Sequence, residues 1–382
     1  MALRSPPAAA HAAVAAVFFV NGFGFASWVS RIPAVREALA LTEGQLGTAL
    51  FAIAAGALVA FPLAGRGTVM RGARVLTLAS GVAYCLVLPG PAFAGGLLML
   101  ALSLFVFGAA NGAMDVSMNA LGVEVETSIG KPIMSSLHGM WSAGGLGGAV
   151  VGGLFAKYGV APQVHLSVIA LLLITTVITA RRWLPTNRVR LSTDSVPHFA
   201  RPEAGMMGLG AIIFCSFLIE GAMADWSAVL LRDSLNTTEA VAALGYAVFS
   251  LTMMSMRFAG DRIVTRWDAG ALLRVTNGIA ALTFAVALWM QHVGLTMLAF
   301  GLIGVGTATV APLVFRAAAR RARASPGQGI AAMATLGYSG FLVGPPLVGW
   351  FAEASSLRIA SGLLVLLALA IAAFAHHVRE KG

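Results

Sequence analysis

Along its whole length the sequence keeps returning to apolar runs of about twenty residues, and that recurrence constrains the fold more than any other feature. A helix crossing the hydrocarbon core of a bilayer needs about 20 mostly apolar residues at 1.5 Å rise per residue. Runs of this kind fall near 11–30, 43–64, 74–92, 96–119, 132–156 and 163–183. They resume near 206–229, 239–258, 270–290, 295–316, 327–350 and 357–377. Hydrocarbon offers no partner for backbone N–H and C=O groups, so each run is expected to be a helix. The expectation is therefore an all-α membrane protein of twelve spans. Of the 382 residues only 10% are charged and 58% are hydrophobic, too little charge to clothe a water-facing surface of this size. That excludes a disordered chain, a coiled coil and an ordinary soluble enzyme. The first run continues past Val20 to Trp28 and reads as a retained span, not a signal peptide. Cys85 and Cys215 sit inside apolar runs and read as small core side chains.

A net charge of +10 would point to nucleic acid in a soluble protein. Here the cations fall between the runs and orient the chain instead. With both termini cytoplasmic, all but Arg31, Arg36, Lys157, Arg232 and Arg358 of the 25 Lys and Arg lie on the cytoplasmic side. That asymmetry follows the positive-inside rule, and the opposite orientation violates it. The longest polar segment divides the chain into six spans (1–183), a central cytoplasmic loop (184–205) and six more spans (206–382).

The two halves repeat. Gly144-Gly145-Leu146-Gly147-Gly148 through Gly153-Leu154-Phe155 aligns with Gly340-Phe341-Leu342-Val343-Gly344 through Gly349-Trp350-Phe351, about half a chain later. Pro62-Leu63-Ala64-Gly65-Arg66 aligns likewise with Arg257-Phe258-Ala259-Gly260-Asp261. Both pairs keep their orientation in the membrane, so the repeat is parallel. Transporters built from such repeats bind their substrate near the midplane between the halves.

The loop between spans 2 and 3 carries Gly65, Arg71, Gly72 and Arg74; the loop between spans 8 and 9 carries Gly260-Asp261-Arg262 and Arg266. With the repeat and the basic central loop, these residues resemble the major facilitator superfamily of secondary transporters over essentially the entire chain. The resemblance implies a cytoplasmic charge latch involving Asp261 and Arg262. Val69 stands where the first-half loop of that family usually has Asp, which implies a weaker latch there. The arginines also fit a purely topogenic role.

Span 4 and the start of span 5 read Asn111-Gly112-Ala113-Met114-Asp115-Val116-Ser117-Met118-Asn119 and Lys131-Pro132-Ile133-Met134-Ser135-Ser136-Leu137-His138-Gly139-Met140-Trp141-Ser142. This stretch is similar to the bacterial sugar- or fucose-permease-like branch of the superfamily, including MosC-like proteins. Fucose–proton symporters of the superfamily use an acid on span 4, a position that Asp115 fits. They carry a second acid on span 1, where Asn21 is the nearest polar residue here. That departure counts against fucose itself as the solute.

Asn111, Asp115 and Asn119 are spaced i, i+4, i+8 and form one polar stripe. With span 4 ending near 119, Asp115 and His138 are expected at similar depth on consecutive helices. An intramembrane carboxylate is costly unless it faces a cavity, finds a partner or takes up a proton. A group that moves between those states is what proton coupling requires, so Asp115 and His138 are candidates for it. The same residues equally fit a satisfied interhelical hydrogen-bond cluster.

On span 7, Glu220 lies near the midplane, and Glu220-Gly221 falls at a point comparable to Asn21-Gly22 of the first half. Glu220 is a candidate cavity residue, as a substrate acceptor or second proton site. Asp225 is a candidate partner for Arg31 across the outer mouth, the alternative being two solvated charges. Trp28 and Trp226 fit either interface anchors or stacking platforms for a sugar ring, and Tyr246, Tyr338 and Thr307 fit either the cavity side or core packing. On span 5, Gly144, Gly148 and Gly152 are spaced for close helix packing. The same run is similar to a span-5 signature of drug–proton antiporters, except that Ala149 replaces its proline.

No Gly-Lys-Ser/Thr phosphate loop occurs, which argues against an ATP-driven pump, and no grouping points to a metal, cofactor or enzymatic nucleophile. The expected function is proton-coupled symport of a small polyhydroxylated solute, sugar or inositol-like, by alternating access. Its proton sites would be Asp115, His138 and Glu220. Substrate contacts would come from Asn21, Asn111, Asn119, Glu220, Trp28, Tyr246 and Tyr338, and gates from Arg31, Asp225, Asp261 and Arg262. Partners would be the solute, protons and the bilayer, and the setting the bacterial inner membrane, as a monomer. The alternative is a drug/proton antiporter exporting lipophilic cations; a third class is a transporter-like sensor.

Overall fold

The computed structural model describes residues 7–131, 133–185, 204–264, 266–322 and 326–378. Every regular element among them is helical, and twelve segments are long and apolar enough to cross a membrane. The all-α, twelve-span expectation is met.

The chain divides into two compact units. The first contains α1 (Pro7–Val29), α2 (Ile32–Ala38), α3 (Glu43–Arg71), α4 (Ala73–Val87), α5 (Leu97–Ile129), α6 (Met134–Lys157) and α7 (Pro162–Ala180). The second contains α8 (Met207–Val229), α10 (Ala269–Met290), α11 (Val293–Ala308), α12 (Val310–Arg321), α13 (Pro326–Ala354) and α14 (Leu357–Phe374). The remaining helix, α9 (Glu239–Val264), is shared: Thr238–Ala247 belongs to the first unit and the residues from Val248 onward to the second. α1 with α2, and α11 with α12, each make a single span.

Local chemistry explains several of the ends. Thr42 caps α3 in a reciprocal box, its hydroxyl accepting from Gln45 N–H while the Gln45 side chain accepts from Thr42 N–H. Asp268, His292 and Ser356 accept from the first-turn N–H groups of α10, α11 and α14. Gly130, at φ 69°, closes α5 in the left-handed region, where a Cβ would be strained.

The two units use the same pairings. In the first, α1 packs on α6 and α4 on α7; in the second, the equivalent α8 packs on α13 and α10 on α14. Small residues make the first of these contacts possible. A Cβ on Gly144 of α6 would strike the Phe19 carbonyl of α1, and one on Gly148 would strike the Phe23 carbonyl. Gly340 of α13 meets the Phe214 carbonyl of α8 in the same way. The span-5 glycines therefore serve helix packing.

Helix ends depart from the apolar runs, with a consequence for the site. The run of span 4 fades near 119, but α5 continues to Ile129. A Cβ on Gly122 would touch Met134 and Leu137, which places that part of α5 level with the first turn of α6. Asp115 lies seven residues earlier, about 10 Å along the axis. His138 follows Leu137 by one residue up α6, so its offset in depth from Asp115 is smaller than those 10 Å. Most of the central loop lies outside the described residues, as do the side chains of Asp261 and Arg262.

Candidate functional site

In the first unit, Asn21 is the hub of a polar cluster. Its Nδ2 donates to Asn111 Oδ1 at 2.9 Å, and its Oδ1 accepts from Trp141 Nε1 at 2.8 Å. Its backbone carbonyl accepts from the Tyr84 hydroxyl at 2.8 Å. Helices α4, α5 and α6 thus meet α1 at one residue that is only 2% exposed. The contact is so close that Gly22 leaves no room for a Cβ against the Trp141 carbonyl. Two α5 turns from Asn111, Asn119 Nδ2 donates to Asp115 Oδ1 at 3.0 Å and to the Asp115 carbonyl at 2.9 Å. The expected stripe of Asn111, Asp115 and Asn119 is thus tied to Asn21 at one end and folded onto the carboxylate at the other. His138 packs edge-on against Phe18, ring centroids 5.4 Å apart.

In the second unit, α8 offers a narrow accessible face. Ala211, Phe214, Phe217 and Glu220 are partly exposed, whereas every residue from Gly221 to Val229 is buried. The stripe ends on the Glu220 carboxylate. Arg257 Nη2 of α9 lies 3.6 Å from Glu220 Oε2, with the two side chains 17% and 12% exposed, and Ser216 donates to Oε1 at 3.5 Å. Beside the pair stands an aromatic group from α8 and α13. Phe217 is 5.9 Å from Tyr338 and 4.8 Å from Phe341. Glycines seat two of these rings, Gly337 against Phe217 and Gly221 against Phe341. Tyr338, at 38% exposure, presents the open ring.

A third cluster surrounds Arg31, which is 1% exposed. Nη1 donates to Glu239 Oε1 at 2.6 Å, Nη2 to the Val160 carbonyl at 2.9 Å, and Nε to His165 Nδ1 at 3.0 Å. Three of the five guanidinium donors are used, which is how a buried arginine becomes tolerable. His165 accepts through Nδ1, so its proton is on Nε2. The ring stacks on Phe155 at 4.6 Å.

Several expectations change here. The carboxylate on Arg31 is Glu239, not Asp225, which is buried further along α8. Trp28 and Trp226 are 1% and 3% exposed, so neither indole lies at a water interface or presents a face to a solute. Tyr246, at 2% exposure, and Thr307, whose hydroxyl bonds back to Ile303 O, are likewise buried. Arg257, counted among the orienting cations, pairs with an intramembrane acid. Trp141, Tyr84, His165, Glu239 and Arg257 escaped the sequence reading. Only Glu239 and Arg257 carried a signal, as charges just inside the ends of the 239–258 run. Glu124, 9% exposed on the extension of α5, was missed because the apolar run ends before it.

Comparison with known proteins places this geometry in context. Residues 14–345 match the family model described as Major Facilitator Superfamily. An uncharacterized MFS-type transporter of Yersinia pestis is 34% identical over 365 residues, covering 94% of each chain. Membrane protein MosC of Rhizobium meliloti is 33% identical, covering 94% of this chain and 87% of its own. Among solved structures, the nucleoside transporter NupG superposes with a TM-score of 0.74 at 14% identity, covering 97% of this chain and 99% of its own. A bacterial homolog of the human lysosomal transporter Spinster superposes at 0.70, also at 14% identity, covering 96% of both chains. The two structural likenesses speak to the fold alone.

Proposed function

The chain belongs to the Major Facilitator Superfamily, a multi-pass secondary transporter working by alternating access, and on that premise we propose that it imports a small neutral polyhydroxylated solute together with protons. The observation that carries this reading is the Glu220–Arg257 pair at the closed end of the α8 stripe. A carboxylate balanced by a guanidinium offers acceptors and donors side by side with no net charge. Hydroxyl groups suit such a site, and the neighbouring Tyr338 ring suits the C–H face of a sugar or cyclitol. A lipophilic cation would need an unbalanced carboxylate there, so the pair disfavours the drug-exporter alternative. The match to MosC supports the same branch of the family.

Asp115 is the proposed proton carrier. It is an acid in the middle of α5, and Asn119 holds one of its oxygens at 3.0 Å. Asn21 and Asn111 supply neutral polar contacts, and His138 is a second titratable group on the neighbouring helix. Arg31 and Glu239, both in the first unit, are the proposed outer gate. Asp261 and Arg262 are the proposed counterpart gate, by their position near the opposite end of α9 from Glu239. The arginine distribution supports cytoplasmic termini, and the proposal places the protein in a bacterial inner membrane as a monomer.

The test is uptake of radiolabelled hexoses and inositols into proteoliposomes with an imposed inside-alkaline gradient. The expected result is gradient-driven accumulation, reduced in Asp115→Asn to equilibration without concentration. Uptake indifferent to the gradient, or an Asp115→Asn protein that still concentrates solute, would overturn the proton assignment.

A further inference from the structure

Between α1 and α7 runs a groove of about 500 Å3 that the transport reading does not use. One wall is formed by Ala9, Ala12 and Ala16, spaced along one face of α1. The other is formed by Thr175 and Thr179 of α7 and by Trp183 just beyond its end. Methyl-sized side chains on the α1 wall leave a gap that larger residues would fill. The hydroxyls of Thr175 and Thr176 donate to the Leu172 carbonyl at 2.7 and 3.0 Å, so these two are satisfied within their own helix. The rest of the lining is mostly hydrocarbon, from four alanines of α1, Ala180 and the Trp183 ring. Ala9 to Ala16 and Thr175 to Arg182 each extend about 10 Å along their helices, so the groove is elongated parallel to them. Leu171, Leu172 and Ile178 elsewhere on α7 are 66%, 57% and 55% exposed, as on a helix facing lipid.

The end of the groove is basic. Arg181 and Arg182 follow directly on α7 and are exposed. Arg74 of α4 reaches the same point, its Nη2 donating to the Arg181 carbonyl at 2.7 Å. Among the described residues no acidic group pairs with Arg181 or Arg182. Trp183, 42% exposed, adds an indole of the kind that sits at the membrane–water boundary.

We propose that this groove binds an anionic phospholipid, with an acyl chain between α1 and α7 and the phosphate headgroup at Arg181 and Arg182. Neither half identifies the ligand alone; the arginines lie between Ala180 and Trp183, both of which line the groove. A free phosphate would use the guanidinium groups and leave the apolar groove unexplained. A zwitterionic lipid would fill the groove but bring a cationic amine to the arginines. Guanidinium groups bind phosphate through paired, charge-assisted hydrogen bonds, and basic sites between membrane helices favour anionic headgroups. The inference stands independently of the solute and the coupling ion.

The experiment is thermal unfolding of the purified full chain in detergent with added dioleoyl phosphatidylglycerol, dioleoyl phosphatidylcholine or inorganic phosphate. Phosphatidylglycerol should raise Tm clearly above phosphatidylcholine of identical chains, and inorganic phosphate should have no effect. Replacing both exposed arginines, Arg181→Gln with Arg182→Gln, should erase the difference between the lipids. Ala12→Leu, at an exposed position, should fill the groove and remove the phosphatidylglycerol gain while leaving Tm without lipid unchanged. Equal gains from both lipids, a full effect of phosphate alone, or a phosphatidylglycerol preference that survives either variant would each overturn the proposal.

Discussion

Arg31 Nη1 lies 2.6 Å from Glu239 Oε1, joining the end of the first span to the first turn of α9. The arginine is almost completely buried while the glutamate keeps 26% exposure, so the two sides of the pair are unequal. Removing Glu239 leaves a buried cation with only His165 and the Val160 carbonyl, a change that costs about 3 kcal/mol where a buried charge loses its partner. Glu239→Ala should therefore lower Tm more than Glu239→Asp. If the pair acts as a latch, Glu239→Gln should also raise the accessibility of a cysteine placed at Ala240 to a membrane-impermeant maleimide. Labelling unchanged by the substitution would restrict the pair to a structural role.

The Tyr84 hydroxyl is buried and donates to the Asn21 carbonyl, a group that already lies within α1. Tyr84→Phe removes one neutral hydrogen bond and keeps the ring that stacks on Phe107 at 5.1 Å. The expected loss is about 1 kcal/mol of stability, with uptake retained. Trp141→Phe, in contrast, frees Asn21 Oδ1 at the hub of the cluster and should impair transport more than stability. Comparing Tm with initial uptake rates for the two variants separates a packing role from a solute-facing one.

Glycine contacts make a third expectation. Gly144 of α6 allows the helix to touch the α1 backbone at Phe19, and a side chain there must drive the helices apart. Overpacking of this kind typically costs about 1–3 kcal/mol, more where backbone is the obstacle. Gly144→Val should give a poorly folded protein, measurable as loss of the monodisperse peak in detergent. Substitution at Gly95, where a Cβ meets nothing within 4 Å, should leave that peak intact.

The spans were legible because each is a run of apolar residues, and the parallel repeat because Gly144–Phe155 recurs near Gly340–Phe351. The same hydropathy concealed the helix ends. α5 extends ten residues past its apolar run through Glu124 and Glu126, which kept Asp115 from appearing as a mid-helix acid. Glu126 was invisible as a cap, yet its carboxylate accepts from Ile133 and Met134 N–H and fixes the start of α6. The buried pairs were hidden for another reason. Arg31 meets Glu239 across 208 residues, and no local periodicity encodes a partner at that distance. Arg31 was singled out as a gate, but its partner on the same membrane side could only come from the folded chain. On span 7 the repeat did point correctly to Glu220-Gly221 as the counterpart of Asn21-Gly22. Both glycines pack against the partner helix, at Phe341 and at Trp141.

The balance of charge at Glu220 gives the sharpest expectation. Glu220 Oε2 and Arg257 Nη2 are 3.6 Å apart, and each charge compensates the other at the closed end of an accessible stripe. Arg257→Gln removes the cation beside Glu220, and Glu220→Gln removes the carboxylate beside Arg257. Both single variants should lose uptake of a neutral cyclitol by ten-fold or more. Glu220→Gln with Arg257→Gln should recover part of the loss, because a pair of amides is again neutral and still able to bond hydroxyl groups. The Arg257→Gln protein should in addition gain affinity for a lipophilic cation such as tetraphenylphosphonium, read by equilibrium dialysis. If the double variant is no better than the singles, compensation is not what the pair supplies. If the wild-type protein already binds the cation tightly, the neutral-solute reading gives way to the exporter.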